Sequence, residues 1–212
     1  MRPLLLGHRG ARASQQIPEN TLESFELCME HGCDGFEFDV RCSADGIPVI
    51  CHDPTIRGMQ IDRTTADQLA LPRLDDVLRR FATRAFLDIE VKVEGLESQL
   101  IAALRAYPPT RDFVVSSFLP AVLTAVGKLD ANIPLGLIFD QPNQVEPPGP
   151  SFSWTIPHFT LVSRALADEA HTSGKRIMTW TVNRADEMLK FAGCGIDAII
   201  SDDTELLVRS FR

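Results

Sequence analysis

Residues 34–41 read DGFEFDVR. Phe36, Phe38 and Val40 alternate with Glu37 and Asp39, so the segment has the two-residue period of a strand with one apolar and one acidic face. An ionised carboxylate is almost never buried unpaired, because desolvating it costs several kcal/mol or forces it to take up a proton. The acidic face must therefore meet a cation, a cleft or water. AFLDIEVKV at 85–93 repeats the pattern, with Asp88, Glu90 and Lys92 opposite Leu87, Ile89, Val91 and Val93.

Outward from these two segments, short apolar runs alternate with amphipathic ones. Strands are expected near 4–7, 35–41, 85–93, 113–117, 134–139, 159–162, 176–182 and 197–200, and helices over 21–31, 74–83, 96–106, 119–129, 163–173, 184–193 and 203–211. Asn20-Thr21 and Asp75-Asp76 supply helix starts, while Gly32 and Gly174 sit where helices stop. Eight strands, each but one followed by a helix, predict a (β/α)8 TIM barrel formed as one domain over residues 1–212. The rhythm breaks twice. DQPNQVEPPGPSFSWTIP at 140–157 is too rich in proline for a regular helix and reads as an irregular loop. CSADGIPVICHD at 42–53 follows strand two directly and carries Asp-Gly between two β-like runs, which predicts a β-hairpin extension.

With Asp45-Gly46 as the two central turn residues, position 44 pairs with 47 and Asp39 falls opposite His52. Glu37, Asp39, Arg41, Ile50 and His52 then share one face, and Val40, Cys42, Val49 and Cys51 the other.

In a barrel wrapped by helices the apolar face of each strand meets the helices, so the charges of the two anomalous strands point into the barrel mouth. Active sites of this fold lie at the C-terminal ends of the strands, where Glu37, Asp39, Glu90 and Lys92 fall. Three converging carboxylates repel one another without a divalent cation, and an all-oxygen ligand set at Glu37, Asp39 and Glu90 points to Mg²⁺ or Ca²⁺ rather than zinc. The alternative is a set of buried ion pairs, such as Lys92 with Glu90 and Arg41 with Asp39.

Composition narrows the partners. The chain has 212 residues, 44% of them hydrophobic, and a net charge of −8, which argues against a nucleic-acid or anionic-membrane surface while leaving room for a local positive pocket. Cys28, Cys33, Cys42, Cys51 and Cys194 are odd in number and lack paired zinc spacings, so they read as reduced thiols. The apolar run of MRPLLLGHRG is too short for a secretory segment, and no stretch approaches the roughly 20 apolar residues of a membrane span. The expected location is cytoplasmic.

The first strand ends LLLGHRG, where small residues beside His8 and Arg9 let backbone approach a ligand. His31, His158 and His171 read as structural or surface residues. His8 and His52 each end a strand beside the expected cation and suit general acid and base work on a phosphoryl group, whose non-bridging oxygens Arg9 and Lys92 could bind.

GHRG at 7–10, PENT at 18–21, FEFDV, DGIPVICHDPT, RTT at 63–65, IEVK, SSF at 116–118 and WTVN at 180–183 resemble, in order, the motif series of the glycerophosphodiester phosphodiesterase family. The resemblance implies a barrel of the same type, a divalent metal on Glu37, Asp39 and Glu90, a catalytic pair in His8 and His52, and phosphate contacts from Arg9 and Lys92. It further implies that Glu19 and Asn20 border the site and that Trp180 walls the pocket. By analogy with phospholipase C barrels, His8 is the base and His52 the acid. Many relatives carry a small inserted domain between the HD motif and the IEVK strand; residues 53–84 leave no room for one. The expected activity is hydrolysis of a glycerophosphodiester, a small-molecule substrate, to an alcohol and glycerol 3-phosphate. The alternatives are a lysophospholipid or phosphoinositide-like diester as substrate, or a non-catalytic phosphate-ester binding module. No exposed amphipathic helix with a basic face marks a stable membrane association.

Overall fold

The computed structural model describes residues 2–142 and 151–212. Chain order begins β1 (Leu4–His8), α1 (Leu22–His31), β2 (Gly35–Cys42), β3 (Pro48–Ile50), β4 (Thr55–Ile56), β5 (Met59–Gln60), α2 (Ala66–Leu69) and α3 (Leu74–Phe81). It continues with β6 (Phe86–Val91), α4 (Glu97–Ala106), β7 (Phe113–Ser117), α5 (Pro120–Leu129), β8 (Leu135–Phe139) and β9 (Trp154–Pro157), and ends with α6 (Arg164–Thr172), β10 (Arg176–Thr179), α7 (Ala185–Gly193), β11 (Ala198–Ser201) and α8 (Thr204–Ser210). Parallel pairing runs β1-β2-β6-β7-β8-β9-β10-β11 and returns from β11 to β1, so eight strands close a (β/α)8 barrel. The antiparallel β3 hangs on β2 as the hairpin extension.

The period of each strand sorts its side chains into two cores. Phe36, Phe38, Val40, Leu87, Ile89 and Val91 face outward and pack under the helices; Phe25 of α1 stacks on Phe36 at 4.3 Å between ring centroids. Leu6, Phe86, Val114, Ile138, Trp154, Ile156, Met178, Ala198 and Ile200 fill the lower barrel interior. α1 begins as its sequence signals, with Thr21 accepting a hydrogen bond from the Ser24 amide, and ends at Gly32 with φ +98°.

Two expectations fail. The strand expected at 159–162 is a 3₁₀ turn over Phe159–Leu161, and the sixth barrel strand is instead β9, inside the segment read as irregular loop. Pro157 hid it: proline removes a ladder donor, but as the last residue of β9 it ends the strand without interrupting it. Residues 143–150 of that loop lie outside the described residues. The hairpin register is also shifted by one. Val40 pairs with Ile50 and Cys42 with Pro48, because the turn holds three residues, Ala44, Asp45 and Gly46, between the Ser43 amide and the Ile47 carbonyl it bonds. Gly46, at φ +77°, takes the left-handed position that such a three-residue loop requires. Ile50 consequently joins Val40 in the helix-side core, and Val49 and Cys51 join a small separate core with Ile61, Ala66 and Leu69.

All five cysteines are free thiols. Among the described residues no helix is long and apolar enough to cross a membrane.

Candidate active site

Parallel register sets the site in rows. His8, Glu37 and Asp88 lie side by side on β1, β2 and β6, and Asp39, Glu90 and Ser116 form the next row up on β2, β6 and β7. All four carboxylates point into the mouth and are buried: Asp39 is 0% exposed and Asp88 1%, Glu37 3% and Glu90 8%. His8, Arg9, Glu37, His52, Glu90, Lys92 and Trp180 line one cavity of about 180 Å³, together with Asp88 and an apolar wall of Phe118, Ile138, Ile156 and Ile200.

Glu37, Asp39 and Glu90 each offer an oxygen within 4.8 Å of the others. Glu37 Oε1 is buried with no hydrogen-bond partner, and Asp39 Oδ1 has only the Lys92 ammonium, at 3.3 Å, as in a carboxylate set shaped for a ligand rather than for itself. Hard oxygen donors of this kind fit Mg²⁺ or Ca²⁺. The ion-pair alternative is present in half: Lys92 Nζ lies 2.5 Å from Glu90 and 3.3 Å from Asp39, but Arg41 does not pair with Asp39. Arg9 Nε takes that place, 3.2 Å from Asp39. Two cations face four carboxylates, and the imbalance registers in the acids. Burial pushes the Glu37 carboxyl well above its ordinary range, with Asp39, Glu90 and Asp88 adding repulsion. Burial likewise raises Glu90 despite Lys92, and raises Asp88 to about 8 even though Ser116 Oγ donates to it at 2.5 Å.

His8 ends β1, and its surroundings correct the reading of the adjacent glycines. A Cβ on Gly7 would meet Cys28 Sγ at 2.6 Å, and one on Gly10 would meet the Ser24 backbone at 2.7 Å, so these glycines let α1 approach the strand end. Between them Arg9 adopts φ +54° and its amide donates to Glu37 Oε2 at 3.0 Å. Asp202, which follows β11, was not anticipated. Its Oδ1 lies 2.7 Å from His8 Nδ1 and accepts from Arg12 at 3.1 Å, and its Oδ2 accepts from Asn183 at 2.7 Å. Burial alone would raise its carboxyl, yet the bonds from His8, Asn183 and Arg12 hold it well below the ordinary range. The nearest sequence signal was SDD at 201–203, directly after a barrel strand.

His52 reaches the cavity by a different route. The chain leaves β3 at Ile50 and bends, and Arg41 Nε donates to the His52 carbonyl at 2.7 Å. Strict alternation along the strand would have turned His52 away; the bend after β3 turns it back. His52 Nδ1 sits 2.7 Å from Asp53 Oδ1, with 35% of the side chain exposed against 13% for His8. Glu19 and Asn20 border the site without lining this cavity. Glu19 holds Arg9 at 2.8 Å, and Asn20 Nδ2 donates to Asp39 at 2.8 Å. Trp180 stands edge-on to Phe118, with ring centroids 5.4 Å apart, and donates Nε1–H to the Ile156 carbonyl.

The fold and the site define a (β/α)8 barrel hydrolase. The chain belongs to the glycerophosphoryl diester phosphodiesterase family, whose profile matches residues 8–82 and 60–206 in two overlapping segments. It is similar to a glycerophosphodiester phosphodiesterase of Caldanaerobacter subterraneus subsp. tengcongensis, 29% identical over all of this chain and 99% of that one. Among solved structures it resembles a glycerophosphodiester phosphodiesterase from Parabacteroides distasonis, 21% identical, with a TM-score of 0.88 over 98% of this chain and 96% of that one. It also resembles an Oleispira antarctica phosphodiesterase in complex with the product sn-glycerol-3-phosphate, 24% identical, with a TM-score of 0.85 over 99% and 96%.

Proposed function

We propose that this hydrolase cleaves glycerophosphodiesters to an alcohol and glycerol 3-phosphate, using a divalent cation, Mg²⁺ or Ca²⁺, and the histidine pair His8 and His52. The observation that carries the reading is one cavity where buried carboxylates with unpartnered oxygens meet two histidines, each held by a carboxylate of its own. Named relatives of this activity support it, as does the product held by the Oleispira phosphodiesterase. A cavity of about 180 Å³ favours a glycerol moiety over an acylated one.

Glu37, Asp39 and Glu90 would hold the cation. When bound, it supplies a Lewis acid that offsets charge growing on the phosphoryl oxygens. Arg9 and Lys92 bind the non-bridging oxygens and orient the phosphate against the apolar wall. Because Asp202 is a carboxylate acceptor, His8 Nδ1 carries the proton and Nε2 presents its lone pair to the cavity, which makes His8 the base. Its Nε2 takes the proton of the nucleophile, which is water or the substrate's own 2-hydroxyl. If the hydroxyl attacks, the cyclic phosphate formed is then opened by water. The bond from phosphorus to the leaving oxygen breaks, and His52, protonated on both nitrogens with Nδ1–H on Asp53, gives its Nε2 proton to the departing alkoxide.

Turnover of glycerophosphocholine and lysophosphatidylcholine tests the reading directly. We expect hydrolysis of the first, faster than of the second, lost in excess chelator and restored by Mg²⁺ or Ca²⁺. Full activity in chelator would remove the cation from the account.

A further inference from the structure

On the hairpin side of the mouth lies a second cavity of about 400 Å³, and His52 lines both it and the inner one. We propose that this second cavity seats the leaving alcohol and selects alcohols of apolar bulk, neutral or cationic, over polyols and anionic alcohols. The inference rests on the diester hydrolysis proposed above and names the part of the substrate that the inner cavity is too small to hold.

The position follows from the chemistry of His52. An alkoxide that takes its proton from His52 leaves on the His52 side, and the space on that side is this cavity. The selectivity follows from the walls. The side chains of Ile56, Leu71, Pro72 and Pro18 offer no hydrogen bonds, and Asn20 and Thr21 between them are already engaged, which leaves the exposed Thr55 hydroxyl at the rim. Both ends of the Asn20 amide bind Asp39, and Thr21 Oγ1 donates to the Pro18 carbonyl while accepting from the Ser24 amide. A polyol would lay hydroxyls against the apolar walls with few partners, which costs binding energy. At the rim stand the carboxylates of Glu19 and Asp53, with side chains 36% and 72% exposed; Glu19 is paired with Arg9 and Arg12, so the exposed Asp53 is the carboxylate that disfavours an anionic alcohol. Arg57, the arginine among the lining residues, donates one guanidinium N–H to the Leu69 carbonyl.

The cavity is built in advance of any ligand. Ile56 and Leu71 are rooted in the small core of Val49, Cys51, Ile61, Ala66 and Leu69. The turn joining β4 to β5 is set by Arg57 and Gly58, both in the left-handed region at φ +49° and +78°. The segment 53–72 thus makes its own wall.

The test compares the choline, inositol and methyl esters of glycerol 3-phosphate with added Mg²⁺. The wild-type protein should turn over the choline ester with a kcat/KM about tenfold or more above that of the inositol ester. Leu71→Trp, which fills the cavity, should lower kcat/KM for the choline ester by about tenfold and leave the methyl ester within about twofold. Thr55→Trp, at the exposed rim and outside the small core, should act in the same direction in a protein whose melting temperature is unchanged. A preference for the inositol ester, or equal losses on all three esters in both variants, overturns the subsite. No turnover of any ester by the wild-type protein overturns the diesterase reading itself, and this inference with it.

Discussion

The lower and upper halves of the barrel interior are packed by opposite chemistry along the same strands. β6 carries both: Phe86 enters the apolar layer beside Trp154, with ring centroids 5.6 Å apart, and Asp88 and Glu90, two and four residues on, enter the acidic one. The lower half removes large apolar surface from water and stabilises the closed barrel. In the upper half burial and mutual repulsion hold Glu37, Asp88 and Glu90 above their ordinary pKa range, so it costs stability in the absence of a cation. A well-packed floor lets a strained mouth persist, and groups held in an unfavourable state are what a catalytic cation or substrate can relieve.

Removing the histidines strikes the upper half hardest. His8→Ala or His52→Ala should lower turnover by about two to four orders of magnitude with little change in melting temperature; near-wild-type rates in either variant would remove that residue from the mechanism. Trp154→Ala strikes the lower half instead. It should destabilise the protein by about 3–5 kcal/mol, read by denaturant unfolding, while the folded fraction keeps its turnover at low temperature. A variant that lost turnover without losing stability would show that the two halves are not separable.

The pH dependence sharpens the contrast. Asp88 titrates near 3.8 when unfolded and near 8 when folded, so the folded state holds a proton that the unfolded state gives up between those values. Its stabilising contribution is complete below about pH 4 and is lost as pH rises through about 8, on the order of a few kcal/mol. Glu37 and Glu90 act in the same direction. The metal-free protein should therefore melt at lower temperature as pH rises from 5 to 8, Asp88→Asn should flatten the slope, and added Mg²⁺ or Ca²⁺ should stabilise most at the upper end. A metal-free protein that gained stability over that range would contradict the buried acid cluster. The smallest effect belongs to Arg41, which holds the His52 main chain from outside the cavity. Arg41→Met should reduce kcat by about tenfold, with the methyl and choline esters affected alike.

Much of this site was legible one strand at a time. Alternation in FEFDV and LDIEVKV puts acids on the face away from the helices, because a strand's period is a property of its own backbone. Asp202 was not legible in this way. Its role arises from β11 closing against β1, which brings residue 202 beside residue 8, and no local pattern encodes a contact between the two ends of the chain. The hairpin register failed for a related reason. Asp-Gly marks a turn but does not choose between two and three central residues; Ser43 and Asp45 chose three, with Asp45 Oδ1 also accepting from the distant Ala66 amide at 2.9 Å. Proline likewise concealed β9, although Trp154, Thr155 and Ile156 favour a strand and pair with β8 and β10.

By itself the sequence determined the alternation of elements, the acidic faces and the residue types of the site, since these depend on periods and side-chain chemistry carried within a few residues. The tertiary structure alone decided that Asp202 lies against His8 and how His52 returns to the mouth. The first depends on residues at opposite ends of the chain, which closure of the barrel brings together, and the second on how the hairpin bends after β3.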